Sequence, residues 1–189
     1  MYEDSDSLTW RPLTCEDARA SASLLNAMET VDKIGENYDE EDTLQELIDP
    51  YADLERASLA AFDGDVMVGY MRATHKPPVD QVHRVVMDGG VHPGYRRRGV
   101  GTVLVEAGVK AAKVLHDLHH PTLKLVVDVK KAEHIAGAAE LFRSQGFAPG
   151  PTGGGYAATA GSSAVYSPEG IAIARAGPDV GGIARATLS

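Results

Sequence analysis

An α+β fold is the class this sequence predicts, and three observations predict it. Two apolar runs, residues 58–62 and 66–74, flank Asp63-Gly64-Asp65, the signal of an antiparallel hairpin. A third run, 82–91, is followed by a helical pattern over 103–118 and a β-branched run over 123–129. A strand–helix–strand order makes those two strands parallel. Amphipathic helical patterns before and after these runs supply the cover for a mixed sheet.

Taken in order, Leu8-Thr9-Trp10-Arg11-Pro12-Leu13 alternates and reads as a first strand, at a sheet edge because Pro12 lacks an N–H. Thr14 with Asp17 three residues on resembles a helix cap. The helix then runs over 16–29 with Ala18, Ala22, Leu25 and Met28 on one face. A second helix is expected over 42–48, stopped before Pro50. Residues 36–55 are strongly acidic, which reads first as a solvated face. The functional alternative is a field that attracts a cationic amine. Residues 75–80, with Pro77-Pro78, form a loop. In the strand at 82–91, Gly89-Gly90 suggests a bulge, or a place where another chain or a ligand lies against the backbone.

The helix over 103–118 buries Leu104, Ala107, Ala111, Leu115 and Leu118, at spacings of three and four, and ends before Pro121. His116, His119 and His120 cluster in its last turn. Their spacing could bind a metal, but a helix C-terminus favours histidine electrostatically and no carboxylate motif accompanies them, so no metal is expected. Leu123 to Val129 is the central strand, and 133–145 a helix with Ile135, Ala138, Ala139, Leu141 and Phe142 apolar and Gly146 as its stop. From Ala148 onward glycine, alanine, proline and serine dominate. One domain over 1–147 is therefore expected, with a tail over 148–189 that is a disordered linker or carries a weak hairpin, 163–167 with 171–175 around Pro168-Glu169-Gly170.

Composition narrows the function. With 189 residues, 43% hydrophobic and 24% charged, the chain suits a globular domain with its own core. A net charge of −9 argues against a nucleic-acid surface. Cys15 is the single cysteine, so no internal disulfide forms; a half-buried small hydrophobe is its expected role. No run is long enough to span a bilayer, and the acidic start is unlike a signal peptide. A cytoplasmic protein with no membrane partner is expected.

The chemistry concentrates in Val91-His92-Pro93-Gly94-Tyr95-Arg96-Arg97-Arg98-Gly99-Val100-Gly101-Thr102, where a strand hands over to a helix. First-turn amides of a helix have no internal partner and sit at the positive end of its dipole. Gly99 and Gly101 lack Cβ atoms, so a ligand can approach the backbone, and the arginines add donors suited to phosphate oxygens. This is a cradle for a diphosphate. It lacks the third glycine of a dinucleotide fingerprint, and no Gly-Lys-Ser/Thr follows, which excludes a P-loop nucleotidase.

The spacing Arg96-x-x-Gly99-x-Gly101, the lead-in Val91-His92-Pro93-Gly94-Tyr95 and the later Ala138-x-x-Leu141-Phe142-x-x-x-Gly146-Phe147 resemble the GNAT (GCN5-related N-acetyltransferase) superfamily. The resemblance covers residues 8–147. It implies an α+β acyltransferase fold: a mixed, mostly antiparallel sheet flanked by helices, with a splayed central parallel strand pair. It also implies acetyl-CoA or another acyl-CoA as donor, with no metal. The residues it assigns to the donor are Gly90, Val91, His92, Arg96, Arg97, Arg98, Gly99, Val100, Gly101, Thr102 and Phe142. In the resemblance the amides of Arg98 to Thr102 hold the phosphates and Arg96 and Arg98 neutralise charge. The pantetheine lies between the strands at 82–91 and 123–129, and an N–H near Gly90 or Val91 faces the oxyanion.

The acceptor is then a small amine or an amino group of a larger molecule, attacking as the neutral amine. Asp88 is the preferred general base, with Glu133 or an ordered water next and His83 and His92 after them; the alternative for Asp88 is a pairing with Arg84 or a loop arginine. Many relatives carry a tyrosine where Phe142 stands and an asparagine where Ile135 stands, so this chain lacks the usual general acid. Trp10-Arg11-Pro12-Leu13 and Val82-His83-Arg84 further resemble the N-terminal halves of mycothiol-synthase-like tandem proteins. A non-catalytic acyl-CoA-binding domain is therefore the alternative to an N-acyltransferase, and a homodimer or a second GNAT domain is a compatible partner.

Overall fold

The first helix starts where the sequence puts its cap. Asp17 accepts from the Thr14 backbone N–H at 2.8 Å and from its hydroxyl at 3.1 Å, closing a capping box ahead of a 3-10 turn, Cys15–Asp17. Helix α1 follows over Ala18–Asp32. Asp17 is buried; burial alone would raise its carboxyl, but hydrogen bonds from Arg11 and Thr14 outweigh this and hold it below the usual range. The structure, a computed structural model, describes residues 7–79, 81–129, 136–145 and 147, with the backbone of strands at 164–166, 172–175 and 184–188. The earlier expectations for Glu133, Ile135, Gly146 and the turn at 168–170 lie outside the described residues.

The described chain falls into two compact units, Met1–Thr74 with Gly89–Ala111, and His75–Asp88 with Ala112–Ser189. In the first, β1 (Thr9–Arg11) pairs antiparallel with β2 (Ser58–Asp63), which pairs antiparallel with β3 (Val66–His75). The strand β1 is shorter than the expected run, because Pro12 cannot donate to a ladder. The hairpin closes on Asp63 opposite Val66, as the Asp-Gly turn predicts. Helix α2 spans Glu40–Leu47, two residues earlier than expected, since Asp39 caps it and accepts from Asp42 N at 2.8 Å. A short α3, Leu54–Ala57, was not expected; Asp53 caps it. Acidic residues thus serve as caps here as well as facing solvent. Leu13, Leu24, Met28, Leu47, Phe62 and Tyr70 belong to the core cluster. Leu24 fills the place in it that the helical pattern gave to Leu25, which is half-buried. Cys15 is exposed, not half-buried.

Strand β4 (Val82–Val91) contributes residues to both units. In the second unit it pairs in parallel with β5 (Lys124–Val129), from Val82 opposite Lys124 to Met87 opposite Val129. Helix α4 (Val100–His119) makes the crossover, and α5 (Ala136–Ser144) follows. Leu104, Ala111 and Leu115 are buried as expected, whereas Leu118 is 59% exposed on the last turn. The tail forms strand β6 (Ala164–Tyr166) antiparallel to β7 (Ala172–Arg175). It also forms β8 (Ala184–Leu188), which was not expected and pairs antiparallel with β5. The hydrogen-bonded order of the main sheet is β1-β2-β3-β4-β5-β8: mixed, with β4 and β5 the parallel pair.

Candidate acyl-CoA site

Strand β4 delivers the site. Its alternation buries His83, Val85 and Met87 on one face and leaves Asp88 exposed. Gly89 then crosses the β3 backbone so closely that a Cβ would lie 2.2 Å from the Tyr70 carbonyl oxygen, and its φ is +155°. Only glycine fits there. The close approach expected of Gly89-Gly90 is therefore made by the protein's own neighbouring strand. His92 continues the contact, its N–H donating to Val68 O at 2.8 Å.

The loop that follows is held at three points. His92 Nδ1 accepts from Gly94 N at 3.1 Å, starting a 3-10 turn over Pro93–Tyr95. The Tyr95 hydroxyl donates to Asp63 at the tip of the β2–β3 hairpin. Arg96 grips both oxygens of Asp32 at 2.6 Å and donates from Nε to Val91 O at 3.1 Å. Asp32 is only 5% exposed and is the last residue of α1, where the helix dipole disfavours an anion, so a guanidinium there answers an electrostatic need. The guanidinium expected to neutralise phosphate is thus an anchor for the loop. That acidic helix end was the available sequence signal for Asp32, and sequence reasoning did not use it.

Arg97 and Arg98 are exposed, and Arg98 lies over the Tyr95 ring at 5.2 Å. Arg97 has a left-handed φ of +64°, uncommon for a side chain with a Cβ, and Gly99 has φ +86°. Together they turn the chain into α4. The first N–H that reaches back to Gly99 O is that of Val103, at 3.2 Å, so the amides of Val100, Gly101 and Thr102 stand in the unsupported first turn. Among the described residues, and apart from its two chain neighbours, none has an atom within 4 Å of where a Gly99 Cβ would be. The helix start is seated by Gly69 of β3, where a Cβ would meet Leu104 at 3.0 Å and Val100 at 3.1 Å. The residues present fit an anion: open space above glycine, consecutive amides and nearby cations.

Of the other expected site residues, Phe142 is buried and tilted against Phe147, with 5.7 Å between rings. His83 is fully buried and cannot meet an acceptor amine, which removes it as a base candidate. Burial first, and then its histidine neighbours, push its pKa down to about 4. Arg84 makes its ion pair with Asp128 at 3.8 Å. No helix among the described residues is long and apolar enough to cross a membrane.

The profile of the Acetyltransferase (GNAT) family matches residues 23–147, about two thirds of the chain. The chain belongs to the GNAT acetyltransferase family. Solved structures of the same fold include a GNAT protein from Sphaerobacter thermophilus, 22% identical with a TM-score of 0.64. The match covers 76% of this chain and 44% of that one, so this GNAT chain spans less than half that protein's length. The YncA structure from Salmonella typhimurium, solved with its cofactor acetyl-CoA, is 16% identical with TM-score 0.60, covering 97% and 95% of the two chains. PaiA N-acetyltransferase from Thermoplasma acidophilum, in complex with coenzyme A, is 13% identical with TM-score 0.58, covering 96% and 99%. No curated protein matches this chain.

Proposed function

We propose that this GNAT chain is an acyl-CoA-dependent N-acyltransferase, with acetyl-CoA as donor and a primary amine as acceptor. The observation that carries the proposal is the start of α4: first-turn amides of Val100 to Thr102 beside open space at Gly99, with Arg97 and Arg98 exposed next to them. The coenzyme diphosphate binds there. Arg98 supplies charge, while Arg96 fixes the loop through Asp32. Pantetheine runs along the end of β4, where Gly90 and Val91 are half-exposed, and an amide there faces the tetrahedral oxyanion. Positioning the thioester beside the amine is the main catalytic contribution. Asp88, exposed on β4, is the proposed base that takes the proton from the amine. Phe142 donates no proton, so the thiolate leaves unaided; thiols ionise near pKa ~8.5, which makes this feasible.

The missing acid favours a second reading, a GNAT domain that binds acyl-CoA without chemistry. Calorimetry with acetyl-CoA and thiol release on a panel of amines separate the two. An enzyme binds and turns over; a binding domain binds only. Gly101→Glu puts a carboxylate among the phosphate-facing amides and should weaken binding about 100-fold. Unchanged affinity in that variant removes the cradle from both readings.

A further inference from the structure

Five of the chain's seven histidines meet in the second unit. His75 ends β3, His83 lies at the start of β4, His116 and His119 are in the last turn of α4, and His120 follows it. One donor nitrogen from each of His75, His83 and His120 lies within 4.8 Å of the others. The His75 and His119 rings stack at 4.2 Å, and His83 and His120 meet edge-on at 4.7 Å. Chain distance hid this arrangement: the helix-end spacing of 116, 119 and 120 was visible, but the two strand histidines were not.

His83 decides the chemistry. It is 0% exposed, and its Nε2 has no hydrogen-bond partner among the described residues. Its Nδ1 is 3.1 Å from His116 Nδ1. Two lone pairs do not face each other at that distance, so one of the two atoms carries the proton. With the proton on His83, its N–H donates to His116 and its Nε2 is a bare lone pair. A metal-bound histidine has this same pattern, one nitrogen on the ion and the other N–H tied to an outer partner. Ring stacking alone gives Nε2 nothing. All three converging ligands are imidazoles, which suit zinc, nickel, copper or cobalt and are poor ligands for calcium or magnesium.

We infer that His75, His83 and His120 bind one divalent transition ion of the zinc class, with His116 positioning His83. Bonds of 2.0–2.1 Å in a tetrahedral site bring ligand nitrogens to about 3.4 Å, so the rings draw together by up to about 1.5 Å. His75 and His120 are half-buried, one at a strand end and one beyond a helix end. The ion ties the last residue of β3, the start of β4 and the residue after α4 together within that unit. It shares no residue with the proposed coenzyme cradle, so either conclusion stands without the other.

The test uses the untagged full chain, stripped with chelator and titrated with cobalt(II), then zinc(II). One equivalent should bind with the visible bands of a tetrahedral cobalt site. Zinc at 100-fold above its dissociation constant should raise Tm by roughly 5–10 °C. His75→Ala and His120→Ala should each lose more than the roughly 10–100-fold that removal of an outer partner costs, and His116→Ala about that amount. His92→Ala, outside the cluster, should bind like the parent chain. Because buried His83 is needed for packing, the half-buried His75 and His120 variants carry the test. Absence of one-equivalent binding, or equal binding by the His75→Ala and His120→Ala variants and the parent, overturns the site.

Discussion

At Arg96 a charge that looks destined for a ligand is spent on the protein. Its guanidinium spans Asp32 at 2.6 Å on both sides, and that carboxylate is nearly buried. Removing one partner of a shielded pair costs more than the pair contributes. Arg96→Ala should therefore lower stability by about 2–3 kcal/mol in urea unfolding. Arg98→Ala, at an exposed position, should leave stability within about 0.5 kcal/mol yet weaken acetyl-CoA binding about tenfold in calorimetry. The reverse pattern would exchange the roles of the two arginines. The run Arg96-Arg97-Arg98 was legible as a basic cluster. Its division of labour was not, because Asp32 lies 64 residues away in the chain.

Strands and helices were more legible than their contacts. The Thr14–Asp17 box, the Asp63-Gly64-Asp65 turn and the bounds of β4 each depend on residues a few positions apart, and each appears where expected. Two glycines at the ends of the β4–α4 link test the element geometry. Gly89→Ala places a methyl 2.2 Å from the Tyr70 carbonyl, against backbone that cannot turn aside, and should cost about 3 kcal/mol or more. Gly99→Ala meets no atom within 4 Å among the described residues beyond its chain neighbours, so only the left-handed φ of +86° is penalised, at about 1 kcal/mol. In the proposed cradle that methyl enters the coenzyme's space, so affinity for acetyl-CoA should fall further than stability does. Thermal unfolding and calorimetry on both variants check the contrast, and equal stability losses would contradict it.

On the scale of the whole molecule, the tail matters more than its composition suggests. Strand β8 covers β5, whose Leu125, Val126, Val127 and Val129 are all buried. Deleting residues 184–189 should expose that strand as an apolar edge. The truncated chain should then associate in size-exclusion chromatography and unfold at lower temperature; a monodisperse protein with unchanged Tm would show that β8 is dispensable. The run Ala184-Arg185-Ala186-Thr187-Leu188 does alternate, but two of its three apolar positions are alanine, a weak strand former, so the pattern does not stand out in a glycine- and alanine-rich tail.

By itself the sequence determined the local geometry: caps, the hairpin turn, the strand–helix–strand order and the glycines that open the start of α4. Those follow from steric and hydrogen-bonding preferences of neighbours in the chain. Only the tertiary structure decided that Arg96 belongs to Asp32, that Gly89 serves strand contact, that β8 closes β5 and that five histidines share one place. Each joins groups distant in the chain, and nothing in their spacing records which of many possible partners folding brings within reach.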